Sequence, residues 1–211
     1  DTACNLASLN LCRFHDAGTG EFRVDDYLHA VRLWTVVLEI SVLMAQFPAE
    51  EMARNSYDFR TLGLGYANLG ALVMRMGLAY DSDGARAVAG ALTAIMTGAV
   101  YRTSAELAAE LGAFPRYAEN RDGMLRVIRN HRAAAHGAGD YEGLSVLPTP
   151  LTGAQDCPGV LVDAARRVWD EALELGGRHG FRNAQATVLA PTGTIGLVMD
   201  CDTTGIAPDL S

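Results

Sequence analysis

The segment Arg60-Thr61-Leu62-Gly63-Leu64-Gly65-Tyr66 predicts a β-strand, and an apolar helical pattern from Asn68 to Met76 follows it directly. Gly77 is the expected end of this helix, because glycine adopts the left-handed conformation that closes a helix at little cost. The two glycines of the strand begin like the dinucleotide-binding pattern G-x-G-x-x-G, but Asn68 stands where the third glycine is required. We therefore expect these glycines to serve close packing between the strand and the helix.

The alternation of strands and helices continues on both sides of this unit. Toward the N-terminus, residues 3–14 predict a short extended segment, and a helix starts at Asp25. Toward the C-terminus, the sequence predicts helices from Asp81 to about Leu111 and from about Leu161 to Leu175, then a strand at Ala184–Leu189. Strands that alternate with long helices predict an α/β fold with parallel pairing, here dominated by helix.

Two further regions leave alternatives open. Arg121–Ala135 predicts a helix with four arginines, which either faces an anionic ligand or partner or is simply solvated; the solvated face is favoured. Gly137–Pro158 lacks periodicity and predicts a long loop. The helix that starts near Asp81 carries many small residues, and its interior glycines indicate close approach of a neighbouring element.

The composition restricts the class of function. A formal net charge of −8 argues against non-specific nucleic-acid binding, which normally requires a basic face. The sequence contains no lysine, which excludes a P-loop lysine and a Schiff-base lysine. Polar residues interrupt the longest apolar run, Leu33–Phe47, so no span of the roughly 20 residues that cross a membrane is predicted. With no signal-peptide pattern either, we expect a cytoplasmic protein.

The segment Ala190-Pro191-Thr192-Gly193-Thr194-Ile195-Gly196 follows directly on the last predicted strand. A turn of this composition presents several backbone N–H groups and two hydroxyls without steric bulk, and this is the geometry that a phosphate group requires. A helical turn starting near Ile195 would add the attraction of its N-terminal dipole for an anion. The same residues also make a good ordinary turn, so the residue pattern by itself leaves both interpretations open.

The four cysteines, Cys4, Cys12, Cys157 and Cys201, are widely spaced and form no C-x-x-C pair. Neither they nor the five histidines show the spacing of metal ligands, so no metal site is predicted. We expect all four cysteines to be reduced thiols. Chemistry alone does not separate a redox-active Cys4 from a structural one.

Six short motifs carry a resemblance to a known family: Ala3–Leu11, Arg60–Gly65, Asp81–Gly84, Arg182–Ala184, Ala190–Ile195 and Asp202–Ile206. In their order and spacing they resemble the large chains of ribonucleotide reductases, and the resemblance extends from the first residue to the last. The amino-acid sequences of the motifs are most similar to the class that uses adenosylcobalamin.

This resemblance implies the fold and the site. The family has a ten-stranded α/β barrel, of which residues 1–211 would be a helix-rich, incomplete part and a single partial catalytic domain. Cys4 would be one member of the cysteine pair that reduces the substrate. The substrate phosphates would be held by Pro191, Thr192, Gly193, Thr194 and Ile195. The radical cysteine, the second reducing cysteine and the effector-binding region are expected outside the chain.

The implied parent is an adenosylcobalamin-dependent ribonucleoside-diphosphate reductase, which converts ribonucleotides to deoxyribonucleotides with electrons from a thioredoxin-like donor. The chain by itself is expected to be inactive and to bind no cobalamin. Ala207 departs from the glutamate expected in relatives, which puts the details of the loop after Gly205 in doubt. Two other readings remain open: a stand-alone phosphate- or nucleotide-binding module without radical chemistry, and an assembly piece that completes a split barrel.

Overall fold

The computed structural model describes residues 2–3, 5–151 and 156–209. Its sheet consists of β1 (Leu6–Asn10) and β2 (Gly63–Ala67), which pair in parallel. Leu6 lies opposite Gly63, and the register continues to the ends of both strands. The predicted parallel pairing is therefore present, and both strands end at the same edge of the sheet.

The predicted strand at 184–189 lies beside β2 as an extended segment. Leu62 and Leu64 donate their N–H groups to the carbonyls of Gln185 and Ala186 at 2.8 and 3.2 Å. The regular ladder is limited to a single parallel bridge between Leu64 and Thr187. The segment then leaves the sheet, because the chain turns into the 191–195 loop and Pro191 has no N–H to continue the pairing.

Seven α-helices surround the sheet within the described residues. The longest, α4, begins where the motif Asp81–Gly84 indicates, with Ser82 capping its first turn through the N–H of Ala85. A 3₁₀ helix, Leu11–Phe14, follows β1 directly. The α-helices are α1 (Val24–Met44), α2 (Glu50–Phe59), α3 (Leu69–Arg75), α4 (Asp83–Leu111), α5 (Tyr117–Ala135), α6 (Gly159–His179) and α7 (Gly193–Val198). Helices α5 and α6 are longer than predicted, and α3 and α4 are slightly shorter.

The small residues of α4 have the packing role that the sequence indicated. A β-carbon placed on Gly98 would lie 2.6 Å from the Val168 side chain and 3.3 Å from Trp169, both on α6. Helices that approach this closely bury large side chains between them, and Trp169 is almost completely buried. The contact between α4 and α6 forms the centre of the hydrophobic core.

Helix α1 is long and apolar enough, by length and composition, to cross a membrane. The apolar run in the sequence starts at Leu33, whereas the helix starts at Val24, so the helix is longer than the run from which no span was predicted. A core helix of a globular domain passes the same test. Tyr27 and Val31 on one face of α1 are completely buried in the hydrophobic core, so this feature is weak support for a membrane span.

A buried charge cluster fixes the beginnings of β2 and of the 184–189 segment. The carboxylate of Glu39 on α1 accepts hydrogen bonds from Arg60 Nε at 2.7 Å, Arg182 Nε at 2.8 Å and Asn183 Nδ2 at 2.6 Å. Glu39 and Arg60 are almost completely buried. Arg60 and Arg182, which belong to two of the motifs, therefore have a structural role. Each lies just before a strand segment, and both bind the same buried carboxylate.

Candidate functional site

The 191–195 loop turns sharply because two of its residues have a left-handed backbone. Thr192 has φ 63° and Gly193 has φ 37°. The N–H of Gly193 donates to the Pro191 carbonyl at 2.9 Å, and the N–H of Gly196 donates to the Thr192 carbonyl at 3.2 Å. The helical turn expected here is α7, which begins at Gly193, two residues before the predicted start.

Two backbone donors at the start of α7 are free. Within the described residues, the N–H groups of Thr194 and Ile195 have no acceptor, as expected for the first turn of a helix. The hydroxyl of Thr192 is occupied: it donates to the Pro191 carbonyl at 2.7 Å and accepts from the Gly205 N–H at 2.8 Å. The donors left for an anion are therefore those of Thr194 and Ile195, while Thr192 holds the loop in shape.

A cavity of about 290 Å³ lies between this loop and the sheet. Leu6 and Ser8 line it from β1, Gly63 lines it from β2, and the loop closes the other side. Ala7 also contributes to the lining, but the side chains of Ala7 and Leu9 are buried in the hydrophobic core, and because side chains alternate along a strand, those of Leu6 and Ser8 lie on the other face. The cavity is therefore on the face of the sheet opposite to the core.

The two glycines of β2 explain how the loop reaches this face. A β-carbon on Gly65 would lie 2.3 Å from the Val188 carbonyl oxygen, and one on Gly63 would lie 2.5 Å from the Leu6 side chain and 2.9 Å from Val188. Close packing was predicted correctly, but its partner was not. The glycines admit the neighbouring strand segment, and not helix α3.

Asn68 is a residue that the sequence analysis did not assign to the site. It lies directly after β2 with φ 73° and is almost completely buried. Its Oδ1 accepts from the Thr203 N–H at 2.9 Å, its own N–H donates to the Thr203 carbonyl at 3.1 Å, and its Nδ2 donates to Asn10 Oδ1 at 3.1 Å. The available signal was its position between a predicted strand and a predicted helix, because asparagine tolerates the left-handed conformation better than most residues.

The motif Asp202–Ile206 packs between α3 and the 191–195 loop. A β-carbon on Gly70 of α3 would lie 2.6 Å from the Ala207 carbonyl oxygen. Gly205 has φ 50°, and a β-carbon there would lie 2.8 Å from the Ala190 carbonyl oxygen. Both contacts require glycine. The contact at Gly205 shows that the motif Asp202–Ile206 packs directly on the motif Ala190–Ile195.

Cys4, the predicted redox-active residue, lies outside the described residues. The three described cysteines, Cys12, Cys157 and Cys201, are free. Burial raises the pKa of each of these thiols above its usual value, and the pKa of Cys201 is raised further by Asp202 and Asp200. They are therefore protonated and weakly nucleophilic at neutral pH.

Two arginines of α5 pair with acidic side chains from other parts of the chain. Arg129 forms two hydrogen bonds with the Glu142 carboxylate, at 2.6 and 2.7 Å, and Arg132 Nε lies 2.5 Å from Asp170 Oδ1. These pairs are exposed, so they agree with the solvated face that the sequence favoured. In the described part of the chain, no group of three or more histidine, cysteine or acidic side chains is arranged to hold a metal ion.

Comparison with known proteins gives one consistent family. The family described as "Ribonucleotide reductase, barrel domain" matches residues 1–211. A vitamin B12-dependent ribonucleotide reductase of Agrobacterium fabrum is 66% identical over 212 residues, and one of Bradyrhizobium diazoefficiens is 65% identical over 213 residues. Each alignment covers 100% of this chain and 17% of the relative.

A more distant relative has a different name. The ribonucleoside-diphosphate reductase large chain of Encephalitozoon cuniculi is 27% identical over 191 residues, which are 90% of this chain and 21% of that protein. The chain thus spans about a fifth of the length of these relatives. Because the family match extends over every residue, the chain belongs to the ribonucleotide reductase family and corresponds to part of its barrel domain.

Proposed function

We propose that this chain is the part of an adenosylcobalamin-dependent ribonucleoside-diphosphate reductase that holds the phosphates of the ribonucleotide substrate. The observation that carries the proposal is the pair of free N–H groups on Thr194 and Ile195, beside a cavity of about 290 Å³. The predicted site residues Pro191, Thr192, Gly193, Thr194 and Ile195 all belong to this one loop. Relatives at 65–66% identity carry the name of a vitamin B12-dependent enzyme, which supports the choice of reaction.

Each residue of the loop has its own part in binding. Thr194 and Ile195 donate backbone N–H groups, and the Thr194 hydroxyl is a third donor. Gly193, which lines the cavity together with Ile195, supplies the left-handed backbone at the start of α7, and Thr194 lies between these two cavity-lining residues in the chain. A hydrogen bond to a charged group is worth about 1.5–3 kcal/mol net, so two or three of them give a phosphate substantial affinity. The strand face opposite the loop carries no charged side chain that would repel the anion.

The reducing electrons are proposed to come from Cys4 and a second cysteine elsewhere in the parent protein. Replacement of the ribose hydroxyl by hydrogen, with release of water, takes two electrons and two protons, which the two thiols supply as they form a disulfide. A thioredoxin-like donor would then reduce that disulfide and restore both thiols. In the sequence, Cys4 stands two residues before β1, and β1 lines the cavity at Leu6 and Ser8. The proposed reductant therefore stands, in the sequence, just before the strand that lines one side of the cavity.

Cobalamin supplies the radical when it is bound, and we expect the chain by itself to bind none. A larger cavity of about 1170 Å³ lies among α4, α5 and the end of β2, but none of the loop residues lines it. We propose that other parts of the parent protein hold the cobalamin.

Thr194→Pro tests the phosphate role, because proline removes exactly one N–H and is tolerated in the first turn of a helix. In the full-length reductase, we expect the KM for the nucleoside diphosphate to rise about tenfold or more, the equivalent of one hydrogen bond to a charged group. Thr194→Ala is the matched control, since it keeps the N–H and removes only the hydroxyl. If Thr194→Pro changes KM no more than Thr194→Ala does, the proposal is wrong.

A further inference from the structure

The 191–195 loop is held in position from one side by the segment 202–206. The Gly205 N–H donates to the Thr192 hydroxyl at 2.8 Å, and Gly205 packs directly on Ala190 and Pro191. The Thr192 hydroxyl in turn donates to the Pro191 carbonyl at 2.7 Å. The position of the free donors of Thr194 and Ile195 therefore depends on where Gly205 lies.

The segment 202–206 is itself fixed by Asn68. Thr203 and Asn68 exchange hydrogen bonds in both directions: the Thr203 N–H donates to Asn68 Oδ1 at 2.9 Å, and the Asn68 N–H donates to the Thr203 carbonyl at 3.1 Å. The Thr203 hydroxyl accepts from the Ala71 N–H at 3.3 Å, which adds a contact to α3. Asn68 and Thr203 are 1% and 4% exposed, so water does not compete for these bonds.

Asn10 extends the same arrangement to β1 and to the end of α7. Its Oδ1 accepts from Asn68 Nδ2 at 3.1 Å and from the Cys12 N–H at 3.1 Å, and its Nδ2 donates to the Met199 carbonyl at 3.2 Å. The two asparagines thus join the ends of β1 and β2 to both ends of the stretch 199–203. We call Asn10, Asn68 and Thr203 the amide clamp.

We propose that Asn68 is a positioning residue for the substrate phosphates, acting through Thr203, Gly205 and Thr192. This inference rests on the proposed function of the 191–195 loop. Asn68 does not reach the cavity, so it makes no contact with substrate. Its left-handed backbone and its side-chain amide set the place of Thr203, and two residues later Gly205 sets the place of Thr192.

Asn68→Gly isolates the amide from the backbone, because glycine keeps the left-handed conformation without steric strain. In the full-length reductase, we expect the KM for the nucleoside diphosphate to rise about tenfold, the equivalent of about 1.4 kcal/mol. The dissociation constant of adenosylcobalamin should stay the same. Asn130→Ala is the control: it also removes an amide with two backbone hydrogen bonds, on an exposed part of α5 away from the loop, and should leave KM unchanged.

A double-mutant cycle separates positioning from mere stabilisation. If Asn68 acts through Thr192, the KM effects of Asn68→Gly and Thr192→Val are not additive, whereas independent sites add. A lower melting temperature with an unchanged KM, or additive effects on KM, would overturn the inference. The two proposals fail differently. If Thr194→Pro leaves KM unchanged, the loop has no phosphate role. If Thr194→Pro raises KM but Asn68→Gly does not, only the positioning role of Asn68 is wrong.

Discussion

The side-chain amide of Asn183 donates to Glu39 Oε2 at 2.6 Å and thereby joins the beginning of the 184–189 segment to helix α1. The same amide donates to the Arg60 carbonyl at 2.9 Å, just before β2. One asparagine therefore connects the charged centre of the buried cluster with two neighbouring strand beginnings. The cluster lies at the opposite end of the sheet from the amide clamp.

Glu39→Ala is expected to destabilise the chain strongly. The substitution leaves the buried Arg60 without its carboxylate, and breaking one half of a buried ion pair costs about 3–5 kcal/mol. Urea denaturation followed by circular dichroism measures the effect. Glu174→Ala is the control, because Glu174 forms an exposed pair with Arg178 on α6, and such pairs contribute about 0–1 kcal/mol. Equal effects of the two substitutions would contradict the role given to the cluster.

Gly193→Val is expected to raise the KM for substrate in the full-length reductase while cobalamin binding stays unchanged. No neighbouring atom lies within 4 Å of a β-carbon at Gly193, so crowding by neighbours is not the cause. The cause is φ 37°, a conformation that a β-branched residue avoids. Gly123→Val makes the same chemical change at a helical position that is equally open but has no positive φ. A loss of 1.4 kcal/mol in binding free energy would raise KM about tenfold. A KM within about twofold of the wild-type value would therefore rule out the phosphate role of this loop.

Thiol titration in denaturant is expected to count four free thiols in protein purified without oxidation, one for each cysteine in the sequence. The proposed partner of Cys4 is not among Cys12, Cys157 and Cys201, and these three are free. In the native protein, Cys201 should react with iodoacetamide before Cys12 and Cys157, because it is the only one of the three that is not buried. A count of two, with Cys4 mapped to a bridge, would contradict this expectation.

The stability of the chain is expected to fall at alkaline pH. Burial raises the pKa of Tyr101 from 10.0 to about 12, and burial also raises the pKa values of Tyr27 and Tyr66. A folded-state pKa above the unfolded value gives stability that is complete below the unfolded pKa and is lost as the pH rises toward the folded one. The free energy of unfolding should therefore decline from about pH 10 upward. The free energy of unfolding can be measured at several pH values by urea denaturation followed through tyrosinate absorbance. A constant free energy of unfolding up to pH 12 would be incompatible with the buried phenols.

The isolated chain is expected to form no deoxynucleotide with adenosylcobalamin and dithiothreitol. The sequence contains no Asn-x-Cys-x-Glu segment of the kind that carries the radical cysteine in the family it resembles. Product analysis by chromatography against a sample without protein measures this directly. Deoxynucleotide above that background would mean that the radical chemistry does not need the missing motif.

Local signals account for most of what the sequence predicted. The helices and the strand before Asn68 were predicted from the positions of glycine and proline and from the period of the apolar residues. The loop was predicted from the segment Pro191-Thr192-Gly193-Thr194. The contacts of the amide clamp could not be predicted in this way. Asn68 is 58 residues from Asn10 and 135 residues from Thr203, and these amides meet only because the strands pair in parallel at a particular register. The strand partner of the two glycines in β2 was missed for the same reason.

Strand β2 is five residues long and is flanked by Arg60 and Asn68, both with left-handed backbones. Arg60 is bound to the Glu39 carboxylate, and Asn68 is bound to Thr203. An insertion or deletion between them would rotate every following side chain to the other face of the sheet, since strand residues alternate, and would separate one flank from its partner. Natural variation in chain length should therefore be absent between these two residues and concentrate in the exposed 137–151 loop.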